Sequence, residues 1–343
     1  MLTKQQIEEI RALLEQAQNP LFFFDNDVDG LCSFLLLQRK ISRGKGIPVR
    51  TFPDLNKSYL RKIDELNPDF VFILDKPRVE KEFIEGVIEK NIPIVWIDHH
   101  DVQVEKEILE KVHYFNSFPS SEPVTYLSYL VSGKKEDQWL AMIGCIGDVY
   151  MPDFAKDFAE EYPELFNAKL GAFDSLFSTQ VGKTVKILNL GLKDSITNVI
   201  SMIKFLMKAK NIYDVLEENK FTKQLHFRYN KLMKVYDKIM KKAEASVTSK
   251  KLLFFSYSGE TSMSSEIANG LYFNHKTKFI VVAFIKPDKI NVSIRGKNAK
   301  QIIQKAIEDI ENASGGGHEE ACGAQIPVDK LEEFKDRLEK LVN

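Results

Sequence analysis

The amino-acid order predicts an α/β chain in three parts: a mainly parallel-sheet N-terminal domain over residues 1–153, a helical connector over 154–248, and a smaller α/β domain over 249–343. Three observations carry this reading. Short apolar runs of β type alternate with helical patterns through residues 1–150. From about residue 154 to 247 the pattern is almost wholly helical, with few glycines and little β-branched clustering. From Lys251 the β signal returns.

Taken in order, MLTKQQIEEIRALLEQA has apolar residues at helical spacing and acids between them, which reads as an amphipathic helix and not as a signal peptide. Leu21–Phe24, Val71–Leu74 and Ile94–Ile97 are the clearest strands of the first part, and the run from Phe34 to Leu37 opens a helix after the first of them. In the last part LLFFSYS, FIVVAFIK and INVSIR read as strands flanking helical stretches at 262–274 and 298–312. The chain finishes in a charged amphipathic helix from Val328 to Val342.

With 343 residues, 44% hydrophobic and 28% charged, the chain can bury sizeable cores without disulfides or structural metals. Its three cysteines, Cys32, Cys145 and Cys322, are too far apart for a CxxC pair, and their odd number argues against a disulfide framework, which points to a reducing, cytoplasmic setting. No apolar run approaches the roughly 20 residues that a membrane helix needs, so no membrane partner is expected. A formal net charge of −1 means that any surface suited to nucleic acid must be local.

The chemical signal is positional. Three strand-like runs each finish in acid: Leu21–Phe24 leads into Asp25, Asp27, Asp29 and Gly30, Val71–Leu74 into Asp75, and Ile94–Ile97 into Asp98, His99 and His100. In a parallel sheet all carboxyl ends share one edge, so these groups are brought together there. Alone, DNDVDG is equally a turn sequence, and Asp75 an ordinary strand-end residue. A calcium loop is excluded because LCSFLLLQ lacks the later glutamate. Together, so many carboxylates repel unless a cation sits among them. Carboxylates with one or two imidazoles suit Mn²⁺ or Mg²⁺ better than zinc. Two such ions about 3.5–4 Å apart can clamp a phosphoryl group for in-line attack.

These motifs make the sequence resemble the DHH phosphoesterase superfamily, in its RecJ-like branch with a DHHA1-type C-terminal domain. DNDVDG (25–30), LDKP (74–77), DHH (98–100) and GCIGDV (144–149) match the four motifs of the first domain, and SGGGHEEACG (314–323) matches the glycine-rich signature of the second. The resemblance implies that Asp25, Asp27, Asp29, Asp75, His99 and Asp148 are ligands of two divalent ions, Mn²⁺ preferred and Mg²⁺ acceptable, with Asp75 as the bridge. It implies that Asp98 fixes an imidazole tautomer, that His100 touches the scissile phosphate, and that the site lies in a cleft between the domains. Gly315, Gly316, Gly317 and His318 are expected to hold a substrate end, and Arg295 to pair with a substrate phosphate through bidentate donation. A glycine run is also an ordinary helix stop. Gly144 and Gly147 let a helix end approach the metal edge. Ser264 and Asn269 are placed along the same cleft. Lys76-Pro77-Arg78 stands where relatives often have small residues, and Asn116-Ser117 where an Asn-Pro pair is common, so Asn116 receives no role.

Residues 221–251 hold nine Lys or Arg against two acids. Leu225, Leu232, Tyr236, Ile239 and Ala243 fall on one helical face, and Lys231, Lys234, Lys238, Lys241 and Lys242 on another. Such a stripe is either a solvated face or a track for phosphates. The function expected is a single-strand exonuclease or short-oligonucleotide nuclease that releases nucleoside 5′-monophosphates from DNA or RNA. The competing readings are a small-nucleotide phosphatase or cyclic-dinucleotide phosphodiesterase on the same metals, and a replication or repair protein partner without catalysis. The intact acids argue against the last, since a scaffold has no need of a repulsive cluster. No OB-type domain is expected after residue 343, which favours short substrates.

Overall fold

The computed structural model describes residues 1–51 and 54–342. They divide into two compact units, Met1–Tyr229 and Asn230–Asn343. The segment 154–248, set apart as a connector in the sequence, is shared between them.

The first unit is built on α1 (Lys4–Gln16), β1 (Pro20–Asp25), α2 (Val28–Ile41), β2 (Lys45–Val49), β3 (Asp54–Leu55), α3 (Leu60–Leu66), β4 (Phe70–Leu74), β5 (Arg78–Val79), α4 (Lys81–Ile88), β6 (Ile94–Asp98), α5 (Lys106–Leu109), β7 (His113–Asn116), α6 (Val124–Ser132) and α7 (Gln138–Gly147). A five-stranded sheet has the order β2-β1-β4-β6-β7, and every pairing in it is parallel. Both of its faces are covered, which is why β1, β4 and β6 are continuous apolar runs with no polar alternation. Phe22, Phe24, Phe72, Leu74, Val95 and Ile97 face the core made with α1, α2, α6 and α7. Leu21, Phe23, Val71, Ile73 and Trp96 face the smaller core made with α3 and α4. Phe24 stacks on Phe34 of α2, ring centroids 5.1 Å apart and planes within 6°.

Five further helices follow: α8 (Ala155–Glu161), α9 (Ala172–Ser178), α10 (Gln180–Leu192), α11 (Ile196–Leu206) and α12 (Ile212–Leu216). Their apolar faces join the larger core through residues such as Phe158, Val181, Leu188, Val199 and Val215. The unit boundary falls within α13 (Lys223–Ala245).

The second unit contains β8 (Leu252–Tyr257), α14 (Ser264–Asn274), β9 (Phe279–Ile285), β10 (Ile290–Arg295), α15 (Ala299–Ile307), β11 (Ser314–Gly317), β12 (Ala321–Ile326) and α16 (Leu331–Val342). Its sheet has the order β11-β12-β10-β9-β8, with β8 and β9 parallel and the other pairs antiparallel. Val281, Ala283, Val292 and Ile294 pack with Ile303 of α15 and with Phe334 and Leu338 of α16. The glycine run is an edge strand here: Ser314 to Gly317 pair with Gln325 to Cys322. Glycine suits that strand because a Cβ on Gly315 would press on Ala324 and Ile307. Among the described residues no helix is long and apolar enough to cross a membrane.

Candidate metal centre

The carboxyl ends of β1, β4 and β6 meet at one edge, and the acids of three motifs arrive there with them. Each is fixed by a different local device. Asp27 precedes α2 as its N-cap and accepts the Gly30 N–H at 2.9 Å. Gly30 must be glycine because a Cβ would lie 2.5 Å from the Asp25 carbonyl oxygen. Asp29, in the first turn of α2, turns both oxygens to the start of α6: Oδ2 accepts the Val124 N–H at 3.0 Å and Oδ1 the Thr125 N–H at 2.7 Å. It thereby satisfies two of the free N–H groups of that helix end and meets its positive dipole.

Asp75 follows β4 in the left-handed region, φ 56°. That conformation is uncommon for a non-glycine residue and clusters at functional sites. Its backbone N–H donates to the Ile97 carbonyl at 3.0 Å, tying it to β6. The residue is 2% exposed, and its Oδ1 accepts no hydrogen bond although His99 Nε2 lies 3.3 Å away. Asp148 stands at the C-cap of α7, where the helix dipole disfavours a negative charge. Its Oδ2 is 3.8 Å from His99 Nδ1, and Val149 beyond it has φ 59°. Gly144 brings α7 against α6, since a Cβ there would collide with the Thr125 hydroxyl.

Asp98 is fully buried, and its Oδ1 holds His100 Nδ1 at 2.8 Å. The rings of His99 and His100 are edge to face, centroids 4.5 Å apart. Asn116, beside Asp98 in the sheet register, donates from Nδ2 to the His100 carbonyl at 3.0 Å and to the Tyr114 hydroxyl at 2.7 Å. No role follows from its sequence context; the signal is its place at the end of an adjoining strand. Asp25 pairs with Lys76, whose Nζ is 2.7 Å from Asp25 Oδ1 and 3.3 Å from the Thr51 carbonyl oxygen.

Burial dominates the electrostatics. It raises the Asp27 carboxyl to about 8, with the charges of Asp25 and Asp29 adding to it and the Gly30 N–H working against it. Burial and the charges of Asp29, Asp27, Asp25 and Asp148 hold Asp75 well above the carboxylate range. Burial lifts Asp148 to about 6, although His99 and His100 oppose the rise. Burial disfavours charge on His100, but the hydrogen bond and charge of Asp98, with Asp148 and Asp25, push it up to about 9. The same pairing holds Asp98 below its usual value in spite of burial.

The donor set fits divalent cations. Asp25, Asp27 and Asp75 form one group whose ligand atoms lie within 4.8 Å of one another, and Asp29, His99 and Asp148 form another, with oxygen predominating in both. Asp75, Asp98 and His100 are as close, but there the Asp98–His100 hydrogen bond already occupies two of the three. A cation would satisfy the bare Asp75 Oδ1 and remove the repulsion that raises the carboxyl pKa values.

In the second unit Arg295 ends β10. Its Nε donates to Asn269 Oδ1 at 2.5 Å, its Nη2 to Ser265 Oγ at 3.1 Å and its Nη1 to the Ile294 carbonyl at 2.7 Å. Burial lowers the guanidinium to about 10. Asn269 thus orients Arg295, whereas Ser264 bonds Ser293 at 3.0 Å. Of the three glycines in β11, Gly317 has positive φ, 137°. His318 follows in an exposed turn closed by its N–H to the Ala321 carbonyl at 3.0 Å. On α13, Lys231, Lys234, Lys238, Lys241 and Lys242 are all exposed and, among the described residues, none is ion-paired. Leu232 and Ala243 are buried on the opposite face.

Residues 245–343 match the DHHA1 domain family. No curated protein sequence matches the chain. Among solved structures it is similar to RecJ of Thermus thermophilus in complex with Mn²⁺, with TM-score 0.72 and 14% identity. That match covers 99% of this chain and 55% of the other, so the chain spans about half the length of that protein. It is similar to exonuclease RecJ bound to manganese, with TM-score 0.65 and 15% identity over 99% of this chain and 95% of that one. It also resembles the DHH domain of a member of a family of ribosomal proteins, with TM-score 0.73 and 15% identity over 98% of this chain and 90% of that one.

Proposed function

We propose that this chain, which ends in a DHHA1 domain and has the fold of the RecJ exonucleases, is a divalent-metal-dependent phosphodiesterase. Its substrate in this reading is single-stranded DNA or RNA, or a short oligonucleotide, and its product nucleoside 5′-monophosphates. The observation that carries the reading is the buried Asp75 carboxylate, with an oxygen that accepts no hydrogen bond, amid the acids of β1 and α7 and beside His99.

Asp27, Asp29, Asp75, His99 and Asp148 would hold the ions, with Asp25 beside them. Bound there, two ions supply Lewis acidity toward the phosphoryl group and an activated water. The chain's own residues do the rest. The cap bonds of Asp29 with α6 and the tie of Asp75 to β6 fix the carboxylates before substrate arrives, so little reorganisation is left for the reaction. His100, kept protonated near neutrality by Asp98, presents a charged N–H donor for a phosphoryl oxygen. On the second unit, taken by itself, Arg295 is held by Asn269 and Ser265 and offers a fixed guanidinium to an anionic group.

Turnover of end-labelled DNA and RNA oligomers of several lengths, with Mn²⁺, with Mg²⁺ and after chelation, tests this. Release of mononucleotides that needs a divalent ion and is best with Mn²⁺ is expected. Undiminished turnover after exhaustive chelation, or none with either ion on any substrate, overturns it.

A further inference from the structure

Lys76 is 1% exposed. Lysine is almost never buried so fully unless it is paired, because its ammonium is costly to strip of water. Its partners are Asp25 Oδ1 and the Thr51 carbonyl. Its backbone is pinned as well: the Trp96 indole N–H donates to the Lys76 carbonyl at 2.9 Å, and Asp75 before it is tied to β6. Among the described residues no other Lys or Arg is ion-paired with Asp25, Asp27, Asp29, Asp75 or Asp148. The compensation is therefore lopsided. His100 stands beside Asp75, its Nδ1 3.9 Å from Asp75 Oδ1, and does not tell the two groups apart. The ammonium of Lys76 does, since it is paired with Asp25 of the group Asp25, Asp27 and Asp75, whereas among the described residues the group Asp29, His99 and Asp148 is paired with no lysine or arginine.

We propose that Lys76 is a built-in cation that withholds Asp25 from the metal and makes the two ion positions unequal. The position on Asp29, His99 and Asp148, with Asp75, binds its ion tightly. The position on Asp27 and Asp75 has one fewer free carboxylate and an ammonium beside it, so it binds weakly and fills according to the ambient ion concentration. Lys76 cannot swing aside to admit a third carboxylate ligand, because leaving Asp25 would strand a desolvated charge. This inference rests on the metal-dependent reading of the site and assigns a positioning role to a residue outside the ligand set.

The test is a titration of the metal-free full chain with MnCl₂, followed by calorimetry and by the electron paramagnetic resonance signal of free Mn²⁺. The wild type is expected to show two classes of site, one tight and one weak. Lys76→Met and Lys76→Gln should tighten the weak class by about tenfold or more, the scale of one charge acting on a divalent ion a few ångströms away, and barely move the tight class. Gln keeps a donor for the Thr51 carbonyl and loses only the charge, so it serves if Met does not fold. Asp25→Asn should still bind two ions, which decides the matter with the wild type if neither Lys76 variant folds. Two equal classes in the wild type, a weak class untouched by loss of Lys76, or an ion lost in Asp25→Asn each overturns the inference. A wild type that binds no Mn²⁺ at all instead overturns the metal-dependent function.

Discussion

Asp75 gathers the strain and the charge of the site in one residue: left-handed backbone, full burial and a bare oxygen. Asp75→Ala, His99→Ala and Asp148→Ala should each lose at least one ion and cut hydrolysis by more than the about 10–100-fold typical of residues behind a ligand. Asp98→Asn, which alters the hydrogen bond to His100 and removes none of the five ligands, should stay within that smaller range and keep the ion count, as calorimetry alongside the assay will read. Acidity is a second handle. Asp27 and Asp148 titrate at about 8 and about 6 in the fold against an ordinary 3.8, so the native state holds protons that the unfolded chain releases. The chelated protein should therefore lose stability as pH rises from about 4 to 8. The Asp148→Asn variant should flatten the lower part of that slope and saturating Mn²⁺ should abolish it, followed as the thermal midpoint. An unchanged midpoint across that range would contradict the buried charge. The acids are legible in the sequence because they follow apolar runs. Lys76 and Asn116 are not, since a lysine or an asparagine after a strand is ordinarily solvated, and only the packing of Trp96 and the register of β7 make them part of the site.

At the scale of elements, the centre depends on how closely α6, α7 and α2 approach. Gly144→Ala should destabilise the chain by about 1–3 kcal/mol through overpacking against Thr125, and should cost activity by shifting Asp148 at the end of the same helix. Urea unfolding gives the first quantity and the oligonucleotide assay the second. A variant with wild-type stability and turnover would mean that α7 has slack. The central strands are legible because burial on both faces leaves an unbroken apolar signature. The edge strands β2 and β7 are not, because KGIPV and HYFN mix polar residues and a proline, as edges tolerate. The glycine run reads as a loop or helix stop, yet pairing with β12 makes it a strand. Local sequence cannot reveal a partner supplied from across a turn.

For the molecule as a whole, the proposed function gives three features that meet an anionic substrate: the acidic sheet edge once it holds cations, Arg295, and the lysine face of α13. Replacing Lys231, Lys234, Lys238 and Lys241 with Gln should weaken long substrates and spare dinucleotides. The salt dependence of long-strand affinity should become shallower by roughly 0.7 in log–log slope for each phosphate no longer neutralised. Equal effects on both lengths, or none, would make the stripe a solvated face. The helix itself should persist, since Gln is a good helix former and Leu232 and Ala243 remain buried. The crowding of acids at the sheet edge also governs how long the protein lasts. A fold that carries its own repulsion is held shut by whatever neutralises it. An ion at a hundred times its dissociation constant adds about 2.7 kcal/mol to the folded state. Depletion of that ion should then convert a closed protein into one that opens often enough to be cut, because cleavage by a protease follows the open population when reclosing is fast. Limited proteolysis with and without Mn²⁺ should show a half-life about a hundredfold longer in the loaded protein. The difference should shrink in Asp75→Ala, which loses at least one ion, whereas the wild-type chain would report the cell's supply of divalent ions through its own abundance.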